Sequence, residues 1–220
     1  MDWENEKENL GKEIIFSFYN EGMIKTWYRD KPEGWFLVSG LWSPMYIQLR
    51  GLLSYPKLLA KIGNALSQMI ETEIKDATKL VGIAMAGIPI AVATSLSADV
   101  PCAMTRKLDN IKTINDFENN LKTYGEHSLL EGELASHDRV VLIDDLVTRF
   151  DSKLVALKQV EYEIKKRTLN DVICSDVVVV FDREQGAKQE ALKHKVQLHS
   201  LISFKSIGIK WLAELMSKKE

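Results

Sequence analysis

The sequence predicts an α/β protein whose core is a parallel sheet flanked by helices. Two continuous runs rich in β-branched residues, at 139–143 and 176–181, are typical of strands buried on both faces. Runs of this kind alternate with helical segments from about residue 56 onward, which favours parallel strands joined by right-handed crossovers. With 220 residues, 45% of them hydrophobic, the chain is long enough to bury a sizeable core.

The predicted elements divide into a small front part and a larger core, which we expect to form one compact domain. Residues 1–55 predict a helix-plus-hairpin hood, with a helix over about 9–24, a turn-rich strip at 28–34, and strands at 35–38 and 45–49. In the core, residues 56–220, helices are predicted at 58–74, 89–96, 152–167, 186–194 and 207–216, and strands at 79–84, 102–105, 139–143, 176–181 and 196–202. The polar, asparagine-rich stretch 108–131 interrupts the alternation and is a candidate mobile loop.

Charge and cysteine content exclude several classes of protein. Lysine and arginine total 29 against 31 aspartates and glutamates, so no global basic field attracts nucleic acid or an acidic membrane, and any anion site is local. Two distant cysteines, Cys102 and Cys174, cannot build a disulfide framework or a cysteine zinc site. The apolar runs are too short to span a bilayer, and the acidic N-terminus is unlike a targeting peptide. We therefore expect a cytoplasmic protein.

Candidate chemistry lies where the strand at 139–143 ends. Asp144 and Asp145 follow this strand directly, and a hydroxyl-bearing turn leads from them to Ser152 and a helix. Ligands of open α/β sheets bind at the carboxyl ends of the strands. The carboxylates can accept from ribose hydroxyls or hold hydrated Mg²⁺, and the turn amides and helix dipole can hold a phosphate. The pattern indicates a phosphosugar site; alternatively, Asp145 starts a turn, Ser152 caps the helix and Asp144 is a solvated strand end.

Five stretches, in order, resemble motifs of the orotate phosphoribosyltransferases within the type I phosphoribosyltransferase family. Residues 140–148, Val-Val-Leu-Ile-Asp-Asp-Leu-Val-Thr, resemble the motif that binds phosphoribosyl pyrophosphate (PRPP). Residues 39–47 with Arg50 resemble the Ser-Gly-x-x-Ser-Pro-x-Tyr segment, and 82–89 the Gly-x-Ala-x-x-Gly-Ile-Pro loop. The family's catalytic loop has its counterpart in Arg106-Lys107, residues 122–125 and Glu131-Gly132. Its Asp-Arg-x-Glu segment has its counterpart in residues 182–186. Together these stretches span about residues 36–186, most of the chain.

The resemblance implies a type I phosphoribosyltransferase-like sheet and transfer of the 5-phosphoribosyl group from PRPP to orotate, with Mg²⁺ carried by PRPP near the two aspartates rather than bound by direct protein ligands. It implies catalytic roles for Asp144, Asp145 and Lys122. It implies orotate contacts for Tyr46, Ile47, Thr148 and Arg183, and a homodimer whose mobile loop is shared between subunits. The implied PRPP-binding residues are Met85, Ala86, Gly87, Arg106, Lys107, Lys122, Asp144, Asp145, Leu146, Val147, Thr148, Arg149, Phe150, Asp151 and Ser152.

The sequence departs from the family pattern in three places. Thr148 is followed by Arg149-Phe150-Asp151 where the family has glycines, so either Arg149 contacts the phosphate directly or Asp151 points outward as a helix N-cap. Val38 stands where many relatives carry a lysine. The spacer 108–121 is long, which makes Lys112 a rival to Lys122. Two alternatives to the orotate enzyme remain: a non-catalytic or regulatory relative, and a phosphoribosyltransferase for another base.

Overall fold

The computed structural model describes residues 2–36, 40, 42–111, 113–121 and 127–217. Val38 and both candidate loop lysines, Lys112 and Lys122, lie outside these residues.

The described part of the core is built on a six-stranded sheet. The strands are β5 (Lys79–Gly82), β6 (Cys102–Thr105), β7 (Leu130–Glu131), β8 (Arg139–Val147), β9 (Ile173–Asp182) and β10 (Gln197–Ser203). Their order in the sheet is β10-β9-β8-β5-β6-β7, and neighbouring strands run parallel except β7, which is antiparallel to β6. The predicted parallel α/β sheet is therefore confirmed, with one short antiparallel edge strand added.

Helices cover both faces of the sheet, which explains the uninterrupted apolar runs. Val141 and Ile143 of β8 pack into a cluster with the helices of one face, α1 (Trp3–Asn20), α2 (Pro56–Glu73), α3 (Gly87–Ala98) and α7 (Ile209–Ser217). Val140 and Leu142 pack on the other face, against α5 (Asp151–Lys166) and α6 (Ala187–Lys193). Because side chains alternate along a strand, both sets of β8 must be apolar. None of the described helices has the length and apolar character needed to cross a bilayer.

The front part contains a hairpin, but its strands do not pair as predicted. Strand β2 (Trp35–Phe36) pairs with β3 (Trp42–Ser43), whereas β4 (Met45–Ile47) pairs with a strand missed by the sequence analysis, β1 (Ile24–Thr26). The pairing of β1 with β4 places Ile24 opposite Ile47, and both side chains are buried in the core. The burial of these two side chains favours the pairing of β1 with β4. The sequence does not predict this pairing, because strands of two or three residues are too short to show a periodic pattern.

Helix α1 begins six residues before its predicted start and ends at Asn20. Glu4 and Glu6 lie in its first turn, where carboxylates favour the helix dipole. Its end is set by Gly22, whose φ of 71° suits glycine, and by the bond from the Met23 amide to the Phe18 carbonyl.

The stretch 108–131 is more ordered than predicted where it is described. It contains helix α4 (Ile114–Asn120), which begins with a capping box between Thr113 and Asp116. The buried Phe117 joins α4 to Leu129 and to Val155 of α5. The mobility predicted for this stretch stays a prediction, and residues 122–126 lie outside the described chain.

Both cysteines are free thiols and only partly exposed, as expected for packed thiols. Burial, helped by the negative charges of Asp176 and Glu161, raises the pKa of Cys174 to about 12. Because the thiolate is the reactive form, Cys174 is inert at neutral pH.

His199 of β10 joins the outer strands to the helices. Its Nδ1 lies 3.0 Å from Glu73 Oε2, and its Nε2 lies 3.1 Å from Asp176 Oδ1. Glu73 also accepts hydrogen bonds from Trp3 Nε1 at 2.9 Å and Lys7 Nζ at 2.7 Å. Burial opposes protonation of the ring, but the hydrogen bonds to Asp176 and Glu73 outweigh it and raise the pKa of His199. The imidazolium therefore ties together α1, α2, β9 and β10.

Replacing His199 by Gln should lower the melting temperature, and the loss should depend on pH. A group with a raised pKa in the folded state stabilises the fold below its ordinary pKa of 6.5 and loses this effect as the pH rises through the raised value. We expect the His199→Gln loss to be larger at about pH 6 than at about pH 9. Thermal unfolding measures it, with His137→Gln, at an exposed position, as the control. An equal loss at both pH values would contradict the charged state assigned to His199.

Candidate active site

The end of β8 positions the two candidate carboxylates. The strand continues to Val147, four residues past its predicted end, because β9 accompanies it and pairs Leu146 with Phe181 and Val147 with Asp182. Asp144 and Asp145 therefore lie within the strand, and the expectation that they follow it is wrong. Pairing with β9 before and after Asp145 fixes the backbone of the two aspartates more firmly than a turn would.

Asp144 is enclosed by the protein, with 7% of its surface exposed. Its Oδ2 forms an ion pair of 2.7 Å with Nζ of Lys153, the third residue of α5. Its Oδ1 accepts a hydrogen bond of 2.9 Å from the Asp145 amide. The alternative of a solvated strand end for Asp144 is therefore wrong, since a solvated carboxylate would face water rather than a buried ammonium.

Asp145 is the more exposed member of the pair and is partly buried. Its Oδ1 accepts a hydrogen bond of 2.7 Å from the Leu146 amide. Burial, followed by the negative charge of Asp144, raises the pKa of Asp145 to about 7, although the Lys153 ammonium acts in the opposite direction. Near neutral pH this carboxyl group exists in both protonation states, a property typical of functional carboxyls in clefts.

The loop Met85-Ala86-Gly87 lies directly against the carboxylate pair. A Cβ placed on Gly87 would lie 2.3 Å from the Ile143 carbonyl oxygen and 3.0 Å from the Asp144 Cα, so only glycine fits there. Met85 is 64% exposed, and the loop shares a groove of about 190 Å³ with Arg50. The predicted proximity of this loop to the carboxylates is thus present in the fold.

A cleft of about 380 Å³ brings together Arg106 and Lys107, after β6, with Arg149 and Ser152, at the start of α5. The Gln159 side chain of α5 fixes the backbone here, since its amide donates to the Arg106 carbonyl at 2.8 Å. Three cationic side chains and one carboxylate, that of Asp151, line the cleft, so its net charge is positive. In a chain with a net charge of −2, this cleft is a local concentration of positive charge.

Neither Asp151 nor Ser152 caps helix α5. The N-cap residue is Phe150, and no side chain accepts a capping hydrogen bond, so both capping alternatives are wrong. The Phe150 ring is 1% exposed and packs in the core with Val147 and Leu154. Its side chain therefore offers no surface to a ligand, and any contact of Phe150 with PRPP must use the backbone. Asp151 and Ser152 are exposed beside the first N–H groups of the helix, which lack intrahelical acceptors.

Arg183 follows β9 at the same end of the sheet, where its amide donates to the Val147 carbonyl at 3.0 Å. Its guanidinium is half-buried, which lowers its pKa, and its buried Nε makes no hydrogen bond with any described residue. A buried donor without a partner is costly. An anionic ligand beside Arg183 would remove this cost.

The predicted residues of the front part differ in their availability. Tyr46 is 37% exposed, and its ring stacks on Trp35 with centroids 6.2 Å apart. The Ile47 side chain is buried in the core, so its predicted contact with a ligand is limited to backbone atoms.

Sequence reasoning missed Lys153. Its position gave a weak signal, because a lysine in the first turn of a helix is unfavourable beside the positive end of the helix dipole and is stabilised by a nearby carboxylate. Asp144 is that carboxylate.

The described residues contain no group of three or more His, Cys, Asp or Glu side chains suited to hold a metal ion. Mg²⁺ in many phosphate-transferring sites is held by one or two carboxylates together with substrate phosphates. Of the two carboxylates, that of Asp145 is the one partly exposed to solvent.

Comparison with known proteins decides the family. The orotate phosphoribosyltransferase of Methanocaldococcus jannaschii is 31% identical over 171 residues, which cover 78% of this chain and 85% of that protein. The Pyrococcus furiosus enzyme of the same name is 31% identical over 193 residues, covering 88% and 92%. The chain belongs to the orotate phosphoribosyltransferase family. No family model matches it.

Two further matches bear on length and fold. The uridine 5'-monophosphate synthase of Caenorhabditis elegans is 33% identical over 172 residues, but the chain spans only 31% of its length. Among solved structures, orotate phosphoribosyltransferase from Aeropyrum pernix superposes with a TM-score of 0.67 at 20% identity, covering 93% of this chain and 98% of that one. The type I phosphoribosyltransferase-like fold expected from the resemblance is confirmed.

Replacing Asp145 by Asn should stabilise the unliganded protein. Because the pKa of Asp145 is raised to about 7, ionisation of this group costs the wild-type fold stability as the pH rises from 3.8 to about 7. An amide does not ionise, so we expect the gain in melting temperature to be larger at about pH 8 than at about pH 4. Thermal unfolding at both pH values measures the gain, with the exposed Asp151→Asn as the control for loss of a charge. A gain that does not change with pH would contradict this prediction.

Proposed function

We propose that this chain transfers the 5-phosphoribosyl group of PRPP to orotate, giving orotidine 5'-monophosphate and pyrophosphate. The observation that supports it is the convergence, in a member of this family, of a carboxylate pair, a close-packed glycine loop and a cationic cleft at one end of the sheet. This end is where open α/β sheets bind their ligands.

The pyrophosphate end of PRPP is assigned to Met85-Ala86-Gly87, Arg106 and Lys107. The close packing of Gly87 against the end of β8 holds the loop beside the carboxylate pair, and both cations line the cleft. The resemblance adds Lys122 from the loop at 122–125. Magnesium carried by the pyrophosphate lies near the carboxylate pair in this arrangement.

The 5'-phosphate is assigned to the start of α5. Here the chain replaces the family's glycines by Arg149-Phe150-Asp151, and the Phe150 side chain is used for core packing. Arg149 is exposed at the cleft and supplies a guanidinium in place of converging amides. Ser152 adds a hydroxyl, and the free N–H groups of the helix start add a positive dipole end.

Orotate is assigned to the side of Arg183. Its carboxylate suits a planar guanidinium, and the unpartnered buried Nε of Arg183 is a donor ready for it. Tyr46 is proposed to line the pyrimidine. A neutral base would leave Arg183 without an anion, which disfavours a phosphoribosyltransferase for another base.

In the reaction the bond between the ribose anomeric carbon and pyrophosphate breaks, and a bond to N1 of orotate forms. The transition state resembles an oxocarbenium ion, so negative groups near the ribose and cations near the leaving pyrophosphate stabilise it. A loop that closes over the site would exclude water, which otherwise hydrolyses the activated sugar. We further propose a cytoplasmic homodimer in which the loop with Lys122 reaches the partner's site.

One observation favours a second candidate, a non-catalytic relative. Asp151 is exposed in the cleft assigned to the 5'-phosphate and repels a dianion. A regulatory protein would tolerate weaker PRPP binding than an enzyme.

An assay of orotate consumption with PRPP and Mg²⁺, run beside adenine, hypoxanthine and uracil, tests the proposed function. We expect consumption of orotate alone.

Replacing Arg183 by Gln should raise the KM for orotate by about 10- to 100-fold, because a charge-assisted hydrogen bond is lost, and should leave the KM for PRPP nearly unchanged. Lys158→Gln, which removes a cation that forms an exposed ion pair with Glu161, is the control. Binding of PRPP without consumption of orotate would support the non-catalytic relative, and a larger effect on PRPP would place the base site elsewhere.

Two neighbouring variants test the phosphate assignment in opposite directions. Arg149→Gln should weaken PRPP binding by about 10-fold, whereas Asp151→Asn should strengthen it several-fold, since each changes one charge beside a dianion. Isothermal titration with PRPP and Mg²⁺ measures both. Equal effects of the two variants would show that neither side chain faces the phosphate.

A further inference from the structure

Gln159 of α5 is a buried amide that serves two carbonyl groups. The residue is 3% exposed, and its Nε2 donates to the Arg106 carbonyl at 2.8 Å and to the Leu129 carbonyl at 3.1 Å. The carboxamide nitrogen has one N–H for each of these acceptors. Because a buried amide is costly unless it is hydrogen-bonded, the two carbonyls hold this side chain in place. Gln159 therefore joins the residue that follows β6 to the residue that precedes β7.

Two further side chains attach α5 to residues 128–132, which we call the return segment. The Leu129 amide donates to Oε1 of the buried Glu163 at 2.7 Å. Arg167, directly after α5, donates from Nε to Glu163 Oε2 at 2.9 Å and from Nη1 to the Gly132 carbonyl at 2.9 Å. The charge of the buried carboxylate is thus compensated, and the return segment is fixed to the helix along most of its length.

The return segment in turn directs the Arg106 guanidinium. Nη1 of Arg106 donates to the Ser128 carbonyl at 3.2 Å, and its Nε lies 3.7 Å from Glu131 Oε1. A guanidinium carries its N–H donors in a fixed planar fork, so its direction decides which anion it can meet. Arg106 lines the cleft to which PRPP is assigned. The direction of this cation therefore depends on the return segment and, through it, on α5.

Helix α5 also forms the other end of the same cleft. Ser152, in its first turn, and Gln159, two turns later, both line the cleft. Seven residues of an α-helix span about 10 Å. One rigid element therefore fixes the distance between the start of α5, assigned to the 5'-phosphate, and Arg106, assigned to the pyrophosphate.

We propose, on the basis of the function proposed above, that Gln159 is a positioning residue. By joining Arg106 and Leu129 to α5, it holds the Arg106 guanidinium in the direction that the pyrophosphate end of PRPP requires. Arg167 supports the same arrangement from the far side of the return segment. Both residues act through Arg106 rather than on the substrate itself.

A double-mutant cycle between Gln159 and Arg106 tests this proposal by isothermal titration in the presence of Mg²⁺. Gln159→Met keeps an unbranched side chain of similar length and removes both hydrogen bonds. We expect it to weaken the binding of PRPP and of inorganic pyrophosphate by about 5- to 10-fold, and Arg106→Gln to weaken both by about 10-fold or more. Added to Arg106→Gln, Gln159→Met should cost no more than about a further twofold, because the side chain that it positions is gone.

Binding of orotidine 5'-monophosphate separates positioning from a general disturbance of the fold. This nucleotide has the 5'-phosphate and the base but no pyrophosphate, so its affinity should stay within about twofold of the wild type in both single variants. Equal losses for PRPP and the nucleotide, or losses that multiply in the double variant, would overturn the proposal. Gln189→Met, the same replacement at an exposed position of α6, is the matched control.

A second variant, Arg167→Lys, keeps the proposal falsifiable if Gln159→Met does not fold. Lysine retains the charge beside Glu163, but its single nitrogen cannot occupy all the donor positions of the guanidinium. We expect a loss of about threefold for PRPP and pyrophosphate, which disappears in the Arg106→Gln background. An unchanged affinity, or a loss that persists without Arg106, would overturn the proposal.

These outcomes are distinguishable from failure of the proposed function. Orotate consumption by the wild-type chain tests the reaction, whereas the binding cycle tests the positioning of Arg106. A wild-type chain that binds PRPP and consumes no orotate would refute the reaction only, and the cycle would still decide the role of Gln159. A wild-type chain that does not bind PRPP would overturn both.

Discussion

The burial of β8 up to its last residues determines the character of the candidate site. Because β9 pairs with β8 as far as Val147, Asp144 and Asp145 are held in a sheet rather than in a solvated turn. Two carboxylates in such a place cannot both be charged without compensation. The buried ammonium of Lys153 compensates the charge of Asp144, whereas the pKa of Asp145 is raised to about 7. The asymmetry of the pair thus follows from the length of a strand.

The same strand end also fixes the surrounding loops. Gly87, the first residue of α3, packs against the Ile143 carbonyl, and the Lys153 side chain joins the first turn of α5 to the Leu146 carbonyl. Arg183 is anchored by its amide to Val147. Three segments, the starts of α3 and α5 and the residue after β9, are therefore positioned by contacts to the backbone of one strand. The burial of the ionisable groups of Asp145 and Arg183 lowers the stability of the unliganded protein. Such a loss of stability at a functional site is common.

The sequence predicts those parts of the molecule in which local pattern and burial agree. The β-branched runs of β8 and β9 and the amphipathic helix α2 are of this kind, and so is the order of the core strands along the chain. The pairing of β1 with β4 was not predictable, since three-residue strands have too little periodicity and their partners are selected by the burial of Ile24 and Ile47. The capping box at Thr113 was readable and was missed. The Asp144–Lys153 contact depends on how far a side chain reaches back over a helix start, which spacing alone does not reveal.

The start of α5 shows how the segment Arg149-Phe150-Asp151, in place of the family's glycines, changes the way an anion can be bound. A glycine-rich turn binds phosphate through backbone amides, which are fixed when the chain folds. With Phe150 packed in the core, that segment contributes to stability, and the proposed anion contact is assigned to side chains that line the cleft, such as Arg149. A guanidinium brings a full charge but must lose rotamer freedom when it binds. The carboxylate of Asp151 beside it subtracts part of that charge. In the proposed site, the balance of these two side chains therefore sets how strongly this member of the family would hold a phosphosugar.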